Sequence, residues 1–504
     1  MKHGQGSEPT LHHLLLSAPG RADQVVIGAP GVSLRRSELD QASARLAGQL
    51  AGAGVGVGDR VAFQVRKSPA VVVLHLALLR CGAIQVPVNP DYAATEVRGL
   101  LDDADPVLVV RDPACPKVPG PWRTVTLDQA GAGSLFDLPP SDGALPEVGA
   151  SDGAAILFTS GTTGRPKGAL LTHANLAFNA RTLVEAWGFG PDDHLVHALP
   201  LFHTHGLFVA LHCALVSGAS MTLLPAFDVE QVVDALVGQR SGTVLMGVPT
   251  YYSRLLESSR FDAEHLRHVR LLVSGSAPMT PALHEAVRLR TGHAVLERYG
   301  MTETSMIASN PLEGTRKPGS VGPPLPGVGV RVVPAEPPPG EQDSGVGEVE
   351  VMGPNVFGGY WRRPELAQEV FTSDGWFRTG DLGRIDDDGY LHLVGRSKDL
   401  VISGGLNVYP ADVEAVLDAI PGVRESAVVG VPDADLGERV VAVVAVATPS
   451  GRSGPDADQI RAVCRARLAG YQTPKQVVLV EALPRNAMGK VAKNVLRDDL
   501  AGLT

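Results

Sequence analysis

The chain carries the stretch Thr159-Ser160-Gly161-Thr162-Thr163-Gly164-Arg165-Pro166-Lys167-Gly168. The apolar segment before it, which ends at Phe158, predicts a buried strand that enters a loop. Glycine permits close backbone approach, while hydroxyls, backbone N–H groups and the Lys167 ammonium can surround an anion. The stretch therefore predicts a flexible clamp for a polyphosphate, with a polar surface turn as the alternative. It is not a Walker A loop, because Pro166 stands where that motif has a glycine before the lysine.

Composition restricts the class of protein. The chain has 504 residues, which suggests more than one domain, and its 44% hydrophobic and 19% charged residues are globular values. The net charge is −10 and no long Lys/Arg tract occurs, so we expect no nucleic-acid partner. The longest apolar run, 70–79, is too short to cross a bilayer, so we expect no membrane partner. Four scattered cysteines and a poor signal peptide predict a reduced, cytoplasmic protein.

Helical and strand patterns alternate along the first half of the chain. A strand over 60–65, a helix over 69–80 and a strand over 83–88 predict a mostly parallel sheet covered by helices. Residues 399–504 have the pattern of a small domain, with helices over 410–420 and 458–469 and strands over 426–431, 440–447 and 476–480.

Seven further motifs follow the clamp. They are FHTHG at 202–206, MGVPTYYSR at 246–254, SGSAP at 274–278, ERYGMTE at 297–303, RTGD at 378–381, GRSKD at 395–399 and PRNAMGK at 484–490. The two histidines of FHTHG could bind a metal, but no third ligand stands at useful spacing, so packing at a pocket mouth is favoured. In ERYGMTE, Tyr299 offers an aromatic face for adenine and Thr302 can hydrogen-bond a phosphate. Glu303 offers the hard oxygen that Mg²⁺ prefers.

In this order the motifs resemble those of the adenylate-forming acyl-CoA synthetases, the superfamily that includes peptide-synthetase adenylation domains and firefly luciferase. The resemblance extends from about residue 25 to residue 497. It implies an α/β fold of the acyl-CoA synthetase/luciferase type: a large N-terminal domain of helix-covered, mostly parallel sheets and a smaller, mobile α+β C-terminal domain. The implied boundaries are 1–395 for the AMP-binding and acyl-substrate domain, 396–398 for the hinge, with Lys398 as its pivot, and 399–504 for the mobile catalytic domain.

The resemblance also implies site residues. Those expected to be catalytic are Lys490, Thr302, Glu303 and His205, with Glu303 as the magnesium ligand. Those expected to bind ATP or AMP are Thr159, Ser160, Gly161, Thr162, Thr163, Gly164, Lys167, Gly275, Ser276, Ala277, Glu297, Arg298, Tyr299, Gly300, Met301, Thr302, Asp381 and Arg396. Those expected to line the acyl site are His205, Met246, Gly247, Arg254, Ser276, Met301 and Met306, and those expected to bind coenzyme A are Ser403, Gly404 and Gly405.

The implied chemistry has two halves and uses ATP, Mg²⁺ and coenzyme A. A carboxylate first attacks the α-phosphate of ATP to give acyl-AMP and pyrophosphate, with Lys490 bridging the two repelling anions. The small domain then rotates about Lys398, Lys490 withdraws, and a thiol displaces AMP at the Ser403–Gly405 loop.

The motifs also bear on which carboxylic acid the enzyme would activate. The run of motifs looks most like malonyl-CoA synthetases, in which an arginine at the Arg254 position holds the distal carboxylate of malonate. Methylmalonate is a further candidate, and the alternative within the class is a short- or medium-chain or aryl monocarboxylate. A luciferase-like oxygenase and a non-catalytic nucleotide-binding protein are the alternatives from other classes. The sequence leaves monomer and homodimer open.

Overall fold

The computed structural model of the chain describes residues 10–17, 22–141, 143–159, 166–238, 242–334, 345–433, 435–446, 454–485 and 490–501. Its strands, in chain order, are β1 (Val25–Ala29), β2 (Val32–Arg35), β3 (Arg60–Gln64), β4 (Ile84–Pro87), β5 (Leu108–Arg111), β6 (Thr124–Thr126), β7 (Gly153–Thr159), β8 (Lys167–Thr172), β9 (His194–His197), β10 (Ser220–Leu223), β11 (Val244–Gly247), β12 (Leu271–Ser274), β13 (Leu296–Met301), β14 (Ser305–Ser309), β15 (Gly329–Pro334), β16 (Gly347–Met352), β17 (Phe377–Ile385), β18 (Leu391–Arg396), β19 (Val401–Ser403), β20 (Leu406–Val408), β21 (Val423–Asp433), β22 (Gly437–Val446) and β23 (Gln476–Val480).

The helices lie between these strands and cover the sheets. They are α1 (Leu11–Leu16), α2 (Arg36–Gly52), α3 (Pro69–Arg80), α4 (Ala94–Ala104), α5 (His173–Ala186), α6 (Leu211–Ser217), α7 (Val229–Val237), α8 (Pro249–Leu255), α9 (Pro281–Thr291), α10 (Ala367–Val370), α11 (Pro410–Asp418), α12 (Ala457–Arg467) and α13 (Lys493–Ala501).

Two mostly parallel sheets form the larger part of the molecule. One has the order β6-β5-β3-β4-β7-β8 and the other the order β14-β13-β12-β11-β9-β10-β1-β2. Only the pairs β7–β8, β13–β14 and β1–β2 are antiparallel in these sheets. Parallel sheets need cover on both faces, which is why strands such as Val244–Gly247 and Leu271–Ser274 are buried throughout.

Helix α3 is buried on nearly all sides, and its bounds agree with the predicted 69–80. It begins with Pro69, whose fixed φ suits the first helical turn, and nine consecutive residues from Val71 to Leu79 are buried. A helix that is apolar all round belongs inside a protein. Its side chains join one large core with residues of both parallel sheets.

The remaining strands form two smaller sheets. Strands β15 to β18 make an antiparallel sheet, and β19 to β23 make a five-stranded sheet in which only β22 and β23 run parallel. Residues 401–500 have hydrophobic clusters of their own. The fold class is confirmed: helix-covered, mostly parallel sheets precede a smaller α+β part.

Element boundaries in the C-terminal part differ from the prediction. The strands predicted over 426–431 and 440–447 extend over Val423–Asp433 and Gly437–Val446, because the two pair along their length as an antiparallel hairpin. The predicted helix 410–420 ends earlier, at Asp418. Within the described residues no helix is long and apolar enough to cross a membrane. The four cysteines of the chain, at positions 81, 115, 213 and 464, are buried and carry free thiols.

Candidate active site

The hairpin between β13 and β14 is the centre of the site. Met301 pairs with Ser305, so Thr302 and Glu303 lie in the tight connection between two antiparallel strands. A Cβ atom on Gly300 would stand 2.1 Å from the carbonyl oxygen of Ser305, so a side chain there cannot be accommodated. Ser305 itself has a φ of 51°, a strained value for a residue with a side chain. The hairpin therefore needs glycine at position 300 to present Glu303.

Glu303 is buried, and its carboxylate is hydrogen-bonded. Tyr360 Oη donates to Glu303 Oε1 at 3.0 Å, and Thr159 Oγ1 donates to the same oxygen at 3.5 Å. Burial raises the pKa of Glu303, and the hydrogen bond from Tyr360 opposes that effect. Lys167 Nζ lies 5.6 Å from the centre of the Tyr360 ring. The structure thus brings Thr159, Lys167 and Glu303 together, and their predicted contacts with ATP and magnesium stay predictions.

Part of the predicted phosphate clamp cannot be compared with the structure, and one contact of Glu303 was not predicted. Residues Ser160, Gly161, Thr162, Thr163 and Gly164 of the predicted clamp lie outside the described residues. Tyr360 was missed by the sequence reasoning, since its contact with Glu303 spans 57 residues of chain and belongs to none of the motifs.

Asp381 and Arg396 form an ion pair across neighbouring strands. They stand opposite each other on β17 and β18, with Arg396 Nε 2.7 Å from Asp381 Oδ1. The Tyr299 hydroxyl donates to the other carboxylate oxygen. Burial raises the pKa of Asp381, while Arg396 and the hydrogen bond from Tyr299 oppose the rise. A buried carboxylate with fixed partners is suited to hydroxyl groups, the role that resemblance implies for Asp381.

Lys490 reaches the same site from the C-terminal part of the chain. Loss of hydration lowers the pKa of Lys490, and Arg396 lowers it further, while Asp381 raises it. Burial lowers the pKa of His203 to about 3, and the charge of Lys490 contributes to this shift. The charge of Lys490 thus interacts with those of Asp381 and Arg396, and its side chain keeps an exposed surface.

His205 lies on the other side of the hairpin. Its Nδ1 is 3.2 Å from Ser276 Oγ, and Ser276 has a φ of 68°. Burial lowers the pKa of His205 well below its ordinary value, and the nearby Arg298 adds to the effect. The imidazole is therefore neutral. Its Nε2 is buried and has no hydrogen-bond partner within the described ranges, so it can meet a polar group of a bound molecule.

Arg298, whose predicted contact with the nucleotide stays a prediction, is a buried arginine next to Glu297 on β13. Its guanidinium is buried behind the SGSAP loop, and a Cβ atom on Gly275 would stand 2.4 Å from Arg298 Cζ. Burial lowers the pKa of Arg298 to about 10. Its Nε and Nη2 atoms have no hydrogen-bond partner in the described part of the chain. Arg298 thus packs against Gly275, while His205 contacts the adjacent Ser276, and the charge of Arg298 lowers the pKa of His205.

Glu297, the neighbour of Arg298, faces the opposite side of β13. Its Oε1 lies 3.0 Å from His284 Nδ1 and accepts a hydrogen bond of 3.1 Å from the backbone N–H of Gly319. Both partners contact Oε1, and the predicted nucleotide contact of Glu297 stays a prediction.

The remaining residues predicted for the acyl site lie on β11, β13, β14 and α8. Met246 and Met306 are buried, Met301 is partly buried, and Gly247 packs against Tyr251. Tyr251 stacks on Phe227 with the ring centres 3.8 Å apart, a wall that sequence reasoning did not identify. The side chain of Arg254 is exposed one helical turn beyond Tyr251. Of the two arginines, Arg298 is thus the buried one.

The Ser403–Gly405 segment forms a tight hairpin turn. Ser403 pairs with Leu406, and both Gly404 and Gly405 have positive φ, at 62° and 80°. Such a two-residue turn requires φ values that favour glycine. Ser403 is buried, and Lys398 is exposed in the short turn after β18. Their predicted roles in coenzyme A binding and in hinge motion stay predictions.

Comparison with known proteins identifies the family. The profile described as AMP-binding enzyme matches residues 17–361, and that of the AMP-binding enzyme C-terminal domain matches residues 412–490. The chain belongs to the AMP-binding enzyme family. It is similar to MatB from Rhodopseudomonas palustris, crystallised with ATP bound: 46% identity, a TM-score of 0.91, 98% of this chain and 99% of that one.

Two curated relatives carry different substrate names. The chain is 38% identical to a mitochondrial malonate–CoA ligase from Mus musculus over 89% of this chain and 83% of the relative. It is 39% identical to a feruloyl-CoA synthase from an Amycolatopsis species over 93% and 94%. The family and these relatives make the chain an AMP-forming acyl-CoA ligase, while the relatives differ in the acid.

Proposed function

We propose that this ligase joins malonate, or methylmalonate, to coenzyme A through an acyl-AMP intermediate, with release of AMP and pyrophosphate. The observation that carries the choice of acid is the buried Arg298 guanidinium, whose charge acts on His205 and whose Nε and Nη2 atoms have no hydrogen-bond partner among the described residues. A buried cation without an anion is unfavourable, so this position is suited to a ligand that brings a carboxylate. The malonate–CoA ligase relatives support the same acid.

The arginine predicted for this role was Arg254. Its exposed position on α8, beyond Tyr251, would allow it to close over an acid from the solvent side. We therefore propose that Arg298 binds the distal carboxylate from within and that Arg254 screens it from outside. A guanidinium matches the geometry of a carboxylate in either position.

The residues of the hairpin and the C-terminal part would carry out adenylation. Lys490 would join the attacking carboxylate to the α-phosphate, and Lys167 would hold the outer phosphates. Thr302 would donate to the α-phosphate, and Asp381 with Arg396 would hold the ribose. Magnesium, when bound, supplies charge neutralisation on the phosphates. Glu303 fits this ion as a single protein ligand: the described residues include no group of three or more His, Cys, Asp or Glu side chains able to hold a metal.

Thioester formation would need a second arrangement of the chain. We propose a hinge at 396–398 between domains at 1–395 and 399–504, and delivery of the coenzyme A thiol past the Ser403–Gly405 turn. The separate hydrophobic clusters within 401–500 support this division, as does the separate profile match over 412–490. The cytoplasmic location stays a prediction.

A monocarboxylate or aryl acid is the second candidate. The feruloyl-CoA synthase relative supports it, and so does the apolar wall that Phe227 and Tyr251 form. Such an acid would gain nothing from the buried guanidinium, because it has no second carboxylate to offer.

An acid panel with ATP and coenzyme A, followed by AMP release, tests the proposal. We expect malonate or methylmalonate to be used faster than butyrate or ferulate. In Arg298→Met the kcat/KM for malonate should fall about a hundredfold, since a buried charged partner is lost, while that for butyrate should not fall. Arg36→Met is the matched control, because Arg36 on α2 is also a buried arginine, and two of its nitrogens have no partner in the part of the chain that the structure describes. Equal losses for both acids in Arg298→Met would contradict the proposal, and faster use of ferulate would establish the alternative.

A further inference from the structure

Lys67 is a buried lysine that no motif contains. It lies between β3 and α3, with 9% of its surface exposed. Its Nζ donates to the backbone carbonyls of His197 at 2.8 Å and Leu199 at 2.7 Å. The third contact is to His197 Nδ1 at 3.2 Å. Within the described residues these three contacts of the ammonium are to neutral acceptors, with no carboxylate among them.

The second contact of His197 determines its tautomer. His197 Nε2 lies 3.0 Å from the carbonyl oxygen of Gly206, which can only accept. The proton of the neutral ring is therefore on Nε2, and Nδ1 accepts from Lys67. Lys67 must then donate three hydrogen bonds, which only the ammonium form can do. Burial lowers the pKa of Lys67.

These contacts close a loop of the candidate active site. Lys67 holds the chain at His197 and Leu199, where β9 ends, and the His197 ring holds it again at Gly206. The segment between these points carries Phe202, His203 and His205. The approach is close, because a Cβ atom on Gly206 would stand 2.0 Å from the carbonyl oxygen of Pro200. His205 immediately precedes Gly206, so its position depends on this closure.

We propose that Lys67, acting through His197, is a positioning residue for His205 in acyl-adenylate formation. This inference rests on the proposed function in one respect, namely that His205 contacts the reacting groups. Lys67 does not itself reach the site, since its three donors are directed into the base of the loop. A displaced histidine would lower the rate of the chemical step, because small misplacements at a reacting centre cost large factors in rate.

The test is Lys67→Met, which keeps an unbranched side chain only one atom shorter and removes the three donors. We expect kcat for ATP–pyrophosphate exchange to fall by about a hundredfold, while the KM for ATP changes by less than about threefold. The reason for this separation is that the predicted ribose-binding pair, Asp381 and Arg396, lies on other strands. Ser68→Ala is the control, because Ser68 is an adjacent buried residue whose hydroxyl has no partner in the described structure. It should keep wild-type values.

His197→Leu provides a second route, and it decides the matter if Lys67→Met does not fold. This variant keeps the contacts of Lys67 with the two carbonyl groups but removes the hydrogen bond from His197 to the carbonyl of Gly206. We therefore again expect kcat to fall while the KM for ATP changes little. An unchanged kcat in the folded variants, or a KM for ATP that rises as steeply as kcat falls, would overturn the proposal. In wild-type protein with ¹⁵N-labelled histidine, a proton on Nδ1 of His197 would also overturn it. Because the assays use whichever acid the wild-type enzyme turns over fastest, failure of the malonate proposal leaves this result interpretable.

Discussion

Replacing Tyr360 with phenylalanine removes one hydroxyl group beside Glu303 and little else. The Tyr360 hydroxyl donates to Glu303 Oε1 at 3.0 Å. Its ring packs edge-on against Phe357 with centres 4.9 Å apart and lies 5.6 Å from Lys167 Nζ. Both ring contacts survive the change, so we expect the free energy of unfolding to change little.

The magnitude follows from the kind of hydrogen bond that is lost. A hydrogen bond to a charged group contributes roughly 1.5–3 kcal/mol, which corresponds to about 10- to 150-fold in rate if it is needed in the transition state. In Tyr360→Phe the Oε1 atom of Glu303 keeps only the longer contact of 3.5 Å with Thr159. We therefore expect slower acyl-adenylate formation and a higher Mg²⁺ concentration for half-maximal rate.

ATP–pyrophosphate exchange measured across a magnesium titration is the assay. Tyr390→Phe is the matched control, because Tyr390 loses a hydrogen bond of 2.7 Å to the carbonyl oxygen of Thr315, which is not a site residue. If the two variants have the same rate and the same magnesium dependence, the reasoning that Tyr360 holds Glu303 in place is refuted.

Three further predictions concern acid stability, the hairpin and the C-terminal lysine. His173 is buried without a partner for either ring nitrogen among the described residues, and burial lowers its pKa from 6.5 to about 4. The unfolded state therefore binds the proton first, and the free energy of unfolding falls as the pH drops from 6.5 towards 4. His173→Leu should abolish about 2 kcal/mol of this loss near pH 5, as measured by urea unfolding, whereas His13→Leu, at an exposed position, should not. Parallel pH profiles for the two variants would contradict this prediction. Gly300→Ala should lower the urea midpoint by an amount equivalent to roughly 1–3 kcal/mol, and an unchanged midpoint would mean that the hairpin adapts. Lys490→Ala should slow acyl-adenylate formation by about 10²–10³-fold yet still convert supplied acyl-adenylate to the thioester, and an undiminished first step would exclude the proposed role.

Much of the fold could be predicted because local patterns carry it. The apolar run that begins at Pro69 predicts the bounds of α3, since its proline and its hydrophobic face act within a few residues. Strand ends in the C-terminal part were predicted less well. Their extent depends on which strand lies opposite, as the long β21–β22 hairpin illustrates.

The site, like the fold, combines features that follow from local sequence with features that depend on distant segments. Glu303, Asp381, Arg396 and Lys490 could be proposed as site residues because each lies within a short motif that resembles one of the acyl-CoA synthetases. The sequence by itself therefore determined which side chains could act, along with the order of the elements that present them.

Only the tertiary structure decided how those side chains are held and which arginine is buried. Tyr360 meets Glu303 across 57 residues, and Lys67 meets His197 across 130. Arg298 and Glu297 are neighbours in one motif, yet they face opposite sides of β13, towards His205 and His284 respectively. The physical reason is that burial and the partners of a charge are set by packing between distant segments, and neither leaves a local signal in the sequence.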